Sequence, residues 1–482
     1  MNWTLMLPEL LVIATALAVM VVDMLVSEQG RRYLAPLALV GLAAASAATL
    51  GVPQQGVLLG GRFVVDAVSA WFRLFFLLAG FVTVVLSRDL LDGRVRVRVH
   101  GVGFPGEYYT LLLFTVSGMM YLISARDLVT LYVSLELATI PLFVLAAWQR
   151  DDARSGEAGL KYVVIGAMAS AFILYGFGLL YGLARSTDLE TIGRSVLPSP
   201  VFWLAAALIL AGVGFKLTIV PFHMWAADVY EGAPMPVTAY LSVASKATGL
   251  AFLFQVYFRM IGPHLQAWPL TIALLAAATM SLGNVLAIVQ ENIKRFMAFS
   301  AVSQAGYLVM GFLAVNPDSV AALLFYMLVY IVTNLTVFGC IIWLANETGR
   351  ERITDYAGLS RTNPLMALSM MVALFSLAGI PPLSGFVGKF FLFSIASQAG
   401  FHWLVAVAAV NSTVSLYYYL RIVRQMYMEP VPAGAISLAS TRTMAATVAV
   451  LTVAVVLLGV VPHVYRAVHA SAAAWHLPLF GV

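Results

Sequence analysis

Five lysines against 22 arginines is the first chemical asymmetry in this chain of 482 residues. Four of the five, Lys161, Lys216, Lys246 and Lys389, fall inside long apolar stretches, whereas the arginines fall almost wholly outside them. Arginine keeps its proton under all ordinary conditions, while a lysine in apolar surroundings can release it, so only lysine is useful as a proton carrier there. An ammonium at the centre of a bilayer costs about 2.5 to 3.5 kcal/mol, which calls for a partner, a water-filled cavity or a function. Glu136, in LVTLYVSLELATIPLFVLAAW, is the one carboxylate placed in the middle of such a stretch and the natural partner of a buried lysine. A carboxylate nearby favours the charged amine; separation leaves the amine in low dielectric, where it tends to lose its proton. The bland alternative is a structural ion pair that fixes helix packing. Lys161, near the start of its stretch, could instead snorkel to the surface. His223, just after Pro221, is a candidate relay because imidazole titrates near neutral pH, although a lone histidine in a helix is more often a satisfied core residue. Asp228 and Glu231 read as interfacial.

These residues need elements to hold them. The chain is 62% hydrophobic and only 10% charged, with a mean hydropathy of +0.93, far from the composition of a soluble domain. Apolar runs of roughly twenty residues, each long enough to cross a bilayer as a helix, recur near 4–26, 33–51, 66–87, 107–125, 128–148, 158–184, 200–229, 236–258, 268–290, 295–314, 319–345, 364–398, 402–427 and 441–463. The prediction is an all-α, polytopic membrane protein of about fourteen transmembrane helices, a single membrane unit over 1–482. The first run lacks a basic leader and a convincing cleavage site, and reads as a retained span.

Two runs are too long and are interrupted: 200–229 by Gly212, Gly214 and Pro221, and 364–398 by Gly379, Pro381, Pro382, Gly385 and Gly388. Both should be broken helices, and Lys216 and Lys389 lie beside the breaks. Paired interruptions in two halves of a chain point to a transporter's ion path, and here the starts of spans 4–8 and 9–13 are offset by roughly 160 to 170 residues. The expected layout is three N-terminal spans within 1–106, a first five-helix repeat at 107–258, a second at 268–427 and a last span at 441–463, the second repeat inverted relative to the first.

Net charge is +5, but the basic residues are scattered over short loops, which fits a membrane protein and not a nucleic-acid binder. Odd-numbered loops hold sixteen Lys and Arg, including Lys294 and Arg295, against five in the even loops, Arg62, Arg126, Arg185, Arg194 and Arg259. The positive-inside rule then makes the odd loops cytoplasmic and puts both termini outside. A single cysteine, Cys340, cannot supply an iron-sulfur cluster or an internal disulfide. The seven histidines show no zinc spacing, and no metal is expected. Gly101, Gly103 and Gly106 form G-x-G-x-x-G after RVRVRV, with Asp127 following. This dinucleotide fingerprint stands before a membrane span with no further soluble strands, so a short cytoplasmic strand or turn is the better reading.

The stretches GFKLTIVPFHMWAADVYEGAPMPVTAYLSVASKATGLAF (214–252), NIKRFMAFSAVSQAGYLVMGF (292–312) and LAGIPPLSGFVGKFFLF (377–393) resemble the antiporter-like membrane subunits of complex I, the proton-translocating NADH-quinone oxidoreductase. Within that family the D-V-Y-E-G-A-P phrase, the A-S-K around Lys246, GLKYVVIGAMASAFILYGFGLLYG (159–182) and Lys389 look like the subunit N branch rather than L or M, as does an end shortly after span fourteen without the lateral helix of L. The resemblance implies that Glu136 and Lys216 form a switching pair, Lys246 continues a polar path along the membrane midplane, and Lys389 serves the other half-channel. It implies no cofactor in this chain, with NADH, FMN, iron-sulfur clusters and quinone in other subunits, and neighbours M, K and J in a bacterial cytoplasmic membrane. Alternative expectations are a subunit of a multisubunit cation/proton antiporter, a structural membrane spacer, or a hydrogenase or plastid-type relative driven by ferredoxin.

Overall fold

The computed structural model describes residues 3–53, 55–95, 104–261, 268–432 and 441–475. From the N-terminus run α1 (Leu7–Leu25), α2 (Leu34–Gly51), a hairpin of β1 (Gly56–Leu58) and β2 (Phe63–Val65), α3 (Ala67–Leu91), α4 (Pro105–Ser124), α5 (Leu128–Ala146) and α6 (Ala153–Ala184). Then come α7 (Leu189–Ser195), α8 (Pro200–Leu217), α9 (Trp225–Gly232), α10 (Met235–Val256), α11 (Trp268–Ile288), α12 (Ile293–Met310) and α13 (Pro317–Thr348). The remainder is α14 (Leu359–Thr362), α15 (Pro364–Ala378), α16 (Ser384–Gln398), α17 (His402–Tyr427), α18 (Arg442–Val460) and α19 (His463–Ala473).

Twelve helices among the described residues are long and apolar enough to cross a membrane. The less apolar α4, and α15 with α16, supply the other two predicted crossings. Both interrupted runs are split where glycine and proline foretold, α8 from α9 and α15 from α16.

The helices start where a side chain can satisfy the free backbone N–H groups. The Asp66 carboxylate accepts from Ser69 N at 2.7 Å to start α3, Asp127 accepts from Thr130 N at 3.0 Å to start α5, and Asn292 accepts from Lys294 N at 2.8 Å to start α12. Asp127 is therefore a helix cap and not a ribose-binding acid. Gly106 sits in the first turn of α4, while Gly101 and Gly103 lie outside the described residues.

Several features recur at the interval already visible in the two halves. A Cβ on Gly118 of α4 would lie 2.4 Å from the Ala138 nitrogen of α5, and one on Gly283 of α11 would lie 2.5 Å from the Ser303 nitrogen of α12. The missing side chains let each helix pair approach backbone to backbone. Asp127 bridges Asp188 across an antiparallel contact, and Asn292 bridges Arg352 in the same way.

Other parts depart from the sequence reading. The hairpin, α7 and α19 were not anticipated. Arg259, counted as a loop residue, continues α10 in a π-helical turn (Tyr257–Ile261) and is buried. Lys294, also counted with the loop charges, is buried in the first turn of α12 and pairs with Glu351 at 3.0 Å. Arg73 lies inside α3 and meets Glu9 of α1 at 2.6 Å, both fully buried. Each of these buried cations meets an opposite charge, fully buried for Arg73 and partly exposed for Lys294 and Arg259.

Candidate functional site

Lys216, Lys246 and Lys389 are 4%, 1% and 3% exposed, and none has a carboxylate within 4.0 Å among the described residues. Their partners are hydroxyls and backbone carbonyls. The Lys216 ammonium donates to Thr139 Oγ1 at 2.5 Å, Lys246 to Thr218 Oγ1 at 2.8 Å, and Lys389 to Ser412 Oγ at 3.2 Å. In all three cases the hydroxyl donates its own hydrogen to a carbonyl: Thr139 to Leu135 at 2.6 Å, Thr218 to Leu217 at 2.6 Å and Ser412 to Ala378 at 2.8 Å. A hydroxyl carries one donor and two acceptor sites, so each oxygen is left to accept from the lysine.

The helix breaks build these seats. At the first, Thr218 takes a left-handed conformation at φ 59° and Ile219 N donates back to Gly214 O at 3.0 Å. At the second, Gly379 is left-handed at φ 88° and Ile380 N donates to Phe375 O at 3.0 Å. Both are Schellman-type ends, in which the chain folds back to satisfy the last carbonyls. A left-handed position suits glycine but costs a β-branched residue such as threonine about 1 to 2 kcal/mol.

At the second break the freed carbonyls face a cation. Lys389 donates to Leu377 O at 2.8 Å and Ala378 O at 3.2 Å, the last two carbonyls of α15, and its ammonium lies 4.3 Å from the centre of the Tyr307 ring. The negative end of the half-helix dipole and an aromatic face thus replace a counter-ion. At the first break Trp225 Nε1 donates to Phe215 O at 3.0 Å, and Ser245, next to Lys246, donates to Lys216 O at 2.9 Å.

Between the two breaks α13 supplies polar side chains. Tyr330 donates to Ser242 O at 3.1 Å and Asn334 to Ser242 Oγ at 2.5 Å, one turn from Lys246 on α10. Thr333 shares a hydrogen bond with Ser376 of α15 at 3.3 Å, and Tyr326 donates to Gln304 Oε1 at 2.6 Å. Gln304 in turn donates to Leu377 O at 3.1 Å, the carbonyl that also holds Lys389. A small cavity of about 10 Å³, room for about one water, lies among Gln304, Tyr326, Tyr330, Thr333, Ser376 and Lys389. Apart from the two lysines, none of these polar residues was singled out from sequence.

The remaining candidates sit elsewhere. Glu136 is half-buried on α5, one turn before Thr139, and is not in ion-pair contact with Lys216; one of its oxygens is buried without a hydrogen bond. The structure thus holds the expected pair apart, with Thr139 in the place of the carboxylate. Lys161 is 40% exposed and pairs with Asp228 at 2.6 Å and Glu157 at 2.7 Å. Arg295 joins Asp228 and Glu231 at 2.9 and 2.7 Å, so Lys161 belongs to a separate network that also holds the two interfacial acids. His223 lies in the turn between α8 and α9, with Nδ1 buried and unbonded among the described residues.

At one end of the bundle a cavity of about 300 Å³ is lined by Gln149, Asp151, Asp152, Arg154, Lys294 and Glu351. Elsewhere Asp66, outside the crossing helices, accepts from Arg126 at 2.7 Å, Arg259 at 3.4 Å and Trp475 Nε1 at 3.1 Å. Burial alone would raise the pKa of its carboxyl, but the two guanidiniums outweigh burial and hold it below the usual carboxylate value. No group of three or more His, Cys, Asp and Glu that could hold a metal ion occurs among the described residues.

The sequence profile of the family described as NADH:quinone oxidoreductase/Mrp antiporter, TM, matches residues 125–415. NADH-quinone oxidoreductase subunit N of Moorella thermoacetica is 43% identical over 437 residues, covering 90% of each chain. A chain of respiratory complex I from Thermus thermophilus superposes with a TM-score of 0.82 and 32% identity, covering 97% of this chain and 100% of that one. A chain of the Mrp complex from Dietzia, at 23% identity and a TM-score of 0.85 over 98% and 97% of the two chains, shares the fold. The chain with its three lysines seated at two helix breaks therefore belongs to the NADH:quinone oxidoreductase/Mrp antiporter family, in its subunit N branch.

Proposed function

We propose that this chain moves protons across a bacterial cytoplasmic membrane as a non-redox subunit of NADH-quinone oxidoreductase, driven by NADH oxidation and quinone reduction in other subunits. The observation that carries the reading is the seating of Lys216, Lys246 and Lys389, buried amines held by hydroxyls and helix-end carbonyls instead of carboxylates. A structural ion pair would put opposite charges in contact, as Glu9 and Arg73 do. An amine held by neutral groups remains free to gain and lose its proton.

In this reading Glu136 and Lys216 alternate between contact and separation, Lys246 passes the proton on beside the first break, and Lys389 serves the second half. Ser242, Asn334, Thr333, Ser376 and Gln304 support a polar file between them. Lys161 and His223 are at most peripheral relays. The work is within reach: carrying one charge against 100 mV costs about 2.3 kcal/mol, equivalent to roughly 1.7 units of pKa change. The odd loops face the cytoplasm and both termini face outward, so the cavity beside Lys294 and Glu351 opens inward. The two halves, 107–258 and 268–427, act as inverted repeats, and subunits M, K and J are the expected neighbours. Cofactors stay in the other subunits.

Purification of the tagged chain from its native membrane in mild detergent tests the assignment. NADH oxidation coupled to quinone reduction should follow the tag. A folded preparation free of flavin, iron-sulfur clusters and NADH activity would instead favour the cation/proton antiporter that the shared fold also allows.

A further inference from the structure

We propose that Thr218 is a positioning residue for Lys246, kept at the first helix break for its hydroxyl against the preference of the backbone. The inference rests on the reading above, in which Lys246 carries protons.

Three non-glycine residues among those described have positive φ, Leu59, Arg185 and Thr218, and Thr218 is the only β-branched one. It is 1% exposed and closes α8 at a turn where glycine would fit without strain. The second break, folded in the same way, does use glycine, Gly379. The difference lies in what the lysines touch. Lys389 reaches the carbonyls of Leu377 and Ala378 directly, whereas the one side-chain acceptor of Lys246 among the described residues is Thr218 Oγ1, at 2.8 Å.

The hydroxyl is also set for that role, since its hydrogen is committed to Leu217 O at 2.6 Å. Thr139 and Ser412 hold Lys216 and Lys389 in the same fashion from regular helices. The lysine seat thus recurs in different backbone settings, and at residue 218 it is retained where the backbone opposes it. Persistent strain of this kind is held in place by its surroundings and clusters at functional sites. Thr218 fixes the Lys246 amine against the end of α8, beside the carbonyl of Lys216 to which Ser245 donates.

Thr218→Gly, Thr218→Ser and Lys246→Met, each in the assembled complex in sealed vesicles, separate the possibilities. The glycine variant should assemble and melt no lower than the parent, yet translocate protons about tenfold more slowly, equivalent to about 1.4 kcal/mol. The serine variant should recover at least half of the parental rate. Normal pumping by Thr218→Gly, its failure to assemble, or a serine variant no better than glycine would each overturn the role of the hydroxyl. Normal pumping by Lys246→Met would overturn the underlying reading of Lys246, whereas loss in Lys246→Met with normal Thr218→Gly would remove the Thr218 inference alone.

Discussion

An amine that must gain and lose a proton inside a bilayer needs a neighbour that suits both of its forms. A carboxylate in permanent contact would lock it as the cation, while a hydroxyl accepts from the ammonium and, after rotating, donates to the neutral amine. Thr139, Thr218 and Ser412 meet that need. We therefore expect Thr139→Val to slow proton translocation about tenfold, in line with about 1.5 kcal/mol for a hydrogen bond to a charged group. Thr139→Ser should be near normal, and vesicle acidification rates check both. At this scale the lysines were legible and their seats were not. A charge in an apolar run stands out, whereas hydroxyls in apolar helices commonly bond a carbonyl one turn back, as Thr49, Thr83 and Thr336 do here. Nothing in the sequence separates those from Thr139. The charges alone point from Lys216 to Glu136, and only the fold reveals that Thr139, a turn away on the same helix, reaches the ammonium.

At the level of elements, the two helix breaks could be read directly from glycine and proline, because those residues act on the local backbone. The hairpin, α7 and α19 could not, since short elements carry little periodicity and depend on what they dock against. Arg73 passed unnoticed because its partner Glu9 lies on another helix. Removing one member of this buried pair should cost about 3 to 5 kcal/mol, while replacing both with apolar residues of similar volume should be nearly neutral. Thermal denaturation of Arg73→Leu, Glu9→Leu and the double variant in detergent checks this, the double variant melting above either single one. Asp66 joins the hairpin and α3 to Arg126, Arg259 and Trp475. Because its folded-state carboxyl is held below the usual value, its contribution is complete above the ordinary carboxylate pKa and is lost as pH falls through the lowered one. Melting curves from pH 7 downward should show an acid-induced loss of stability that is smaller in Asp66→Asn, which starts from a lower melting temperature at pH 7.

Across the whole molecule, an all-α architecture of many membrane-spanning helices followed from hydropathy and length, because a bilayer obliges each span to satisfy its own backbone. The arrangement of polar residues along α13 did not follow, since it depends on how that helix packs between α10 and the second break. Cys340, buried in α13 with its Sγ 3.7 Å from Met366 O, takes no part in the polar file, so Cys340→Ser should pump normally. It serves as a control for substitution in the same helix. The central claim is that the buried lysines carry protons and do not merely hold helices together. Its most direct test is the rate of proton translocation, measured together with NADH oxidation, by the reconstituted complex carrying Lys216→Ala, compared with the unsubstituted complex. The account predicts an assembled variant with reduced coupled turnover and reduced proton translocation; full translocation by an assembled Lys216→Ala complex would contradict it.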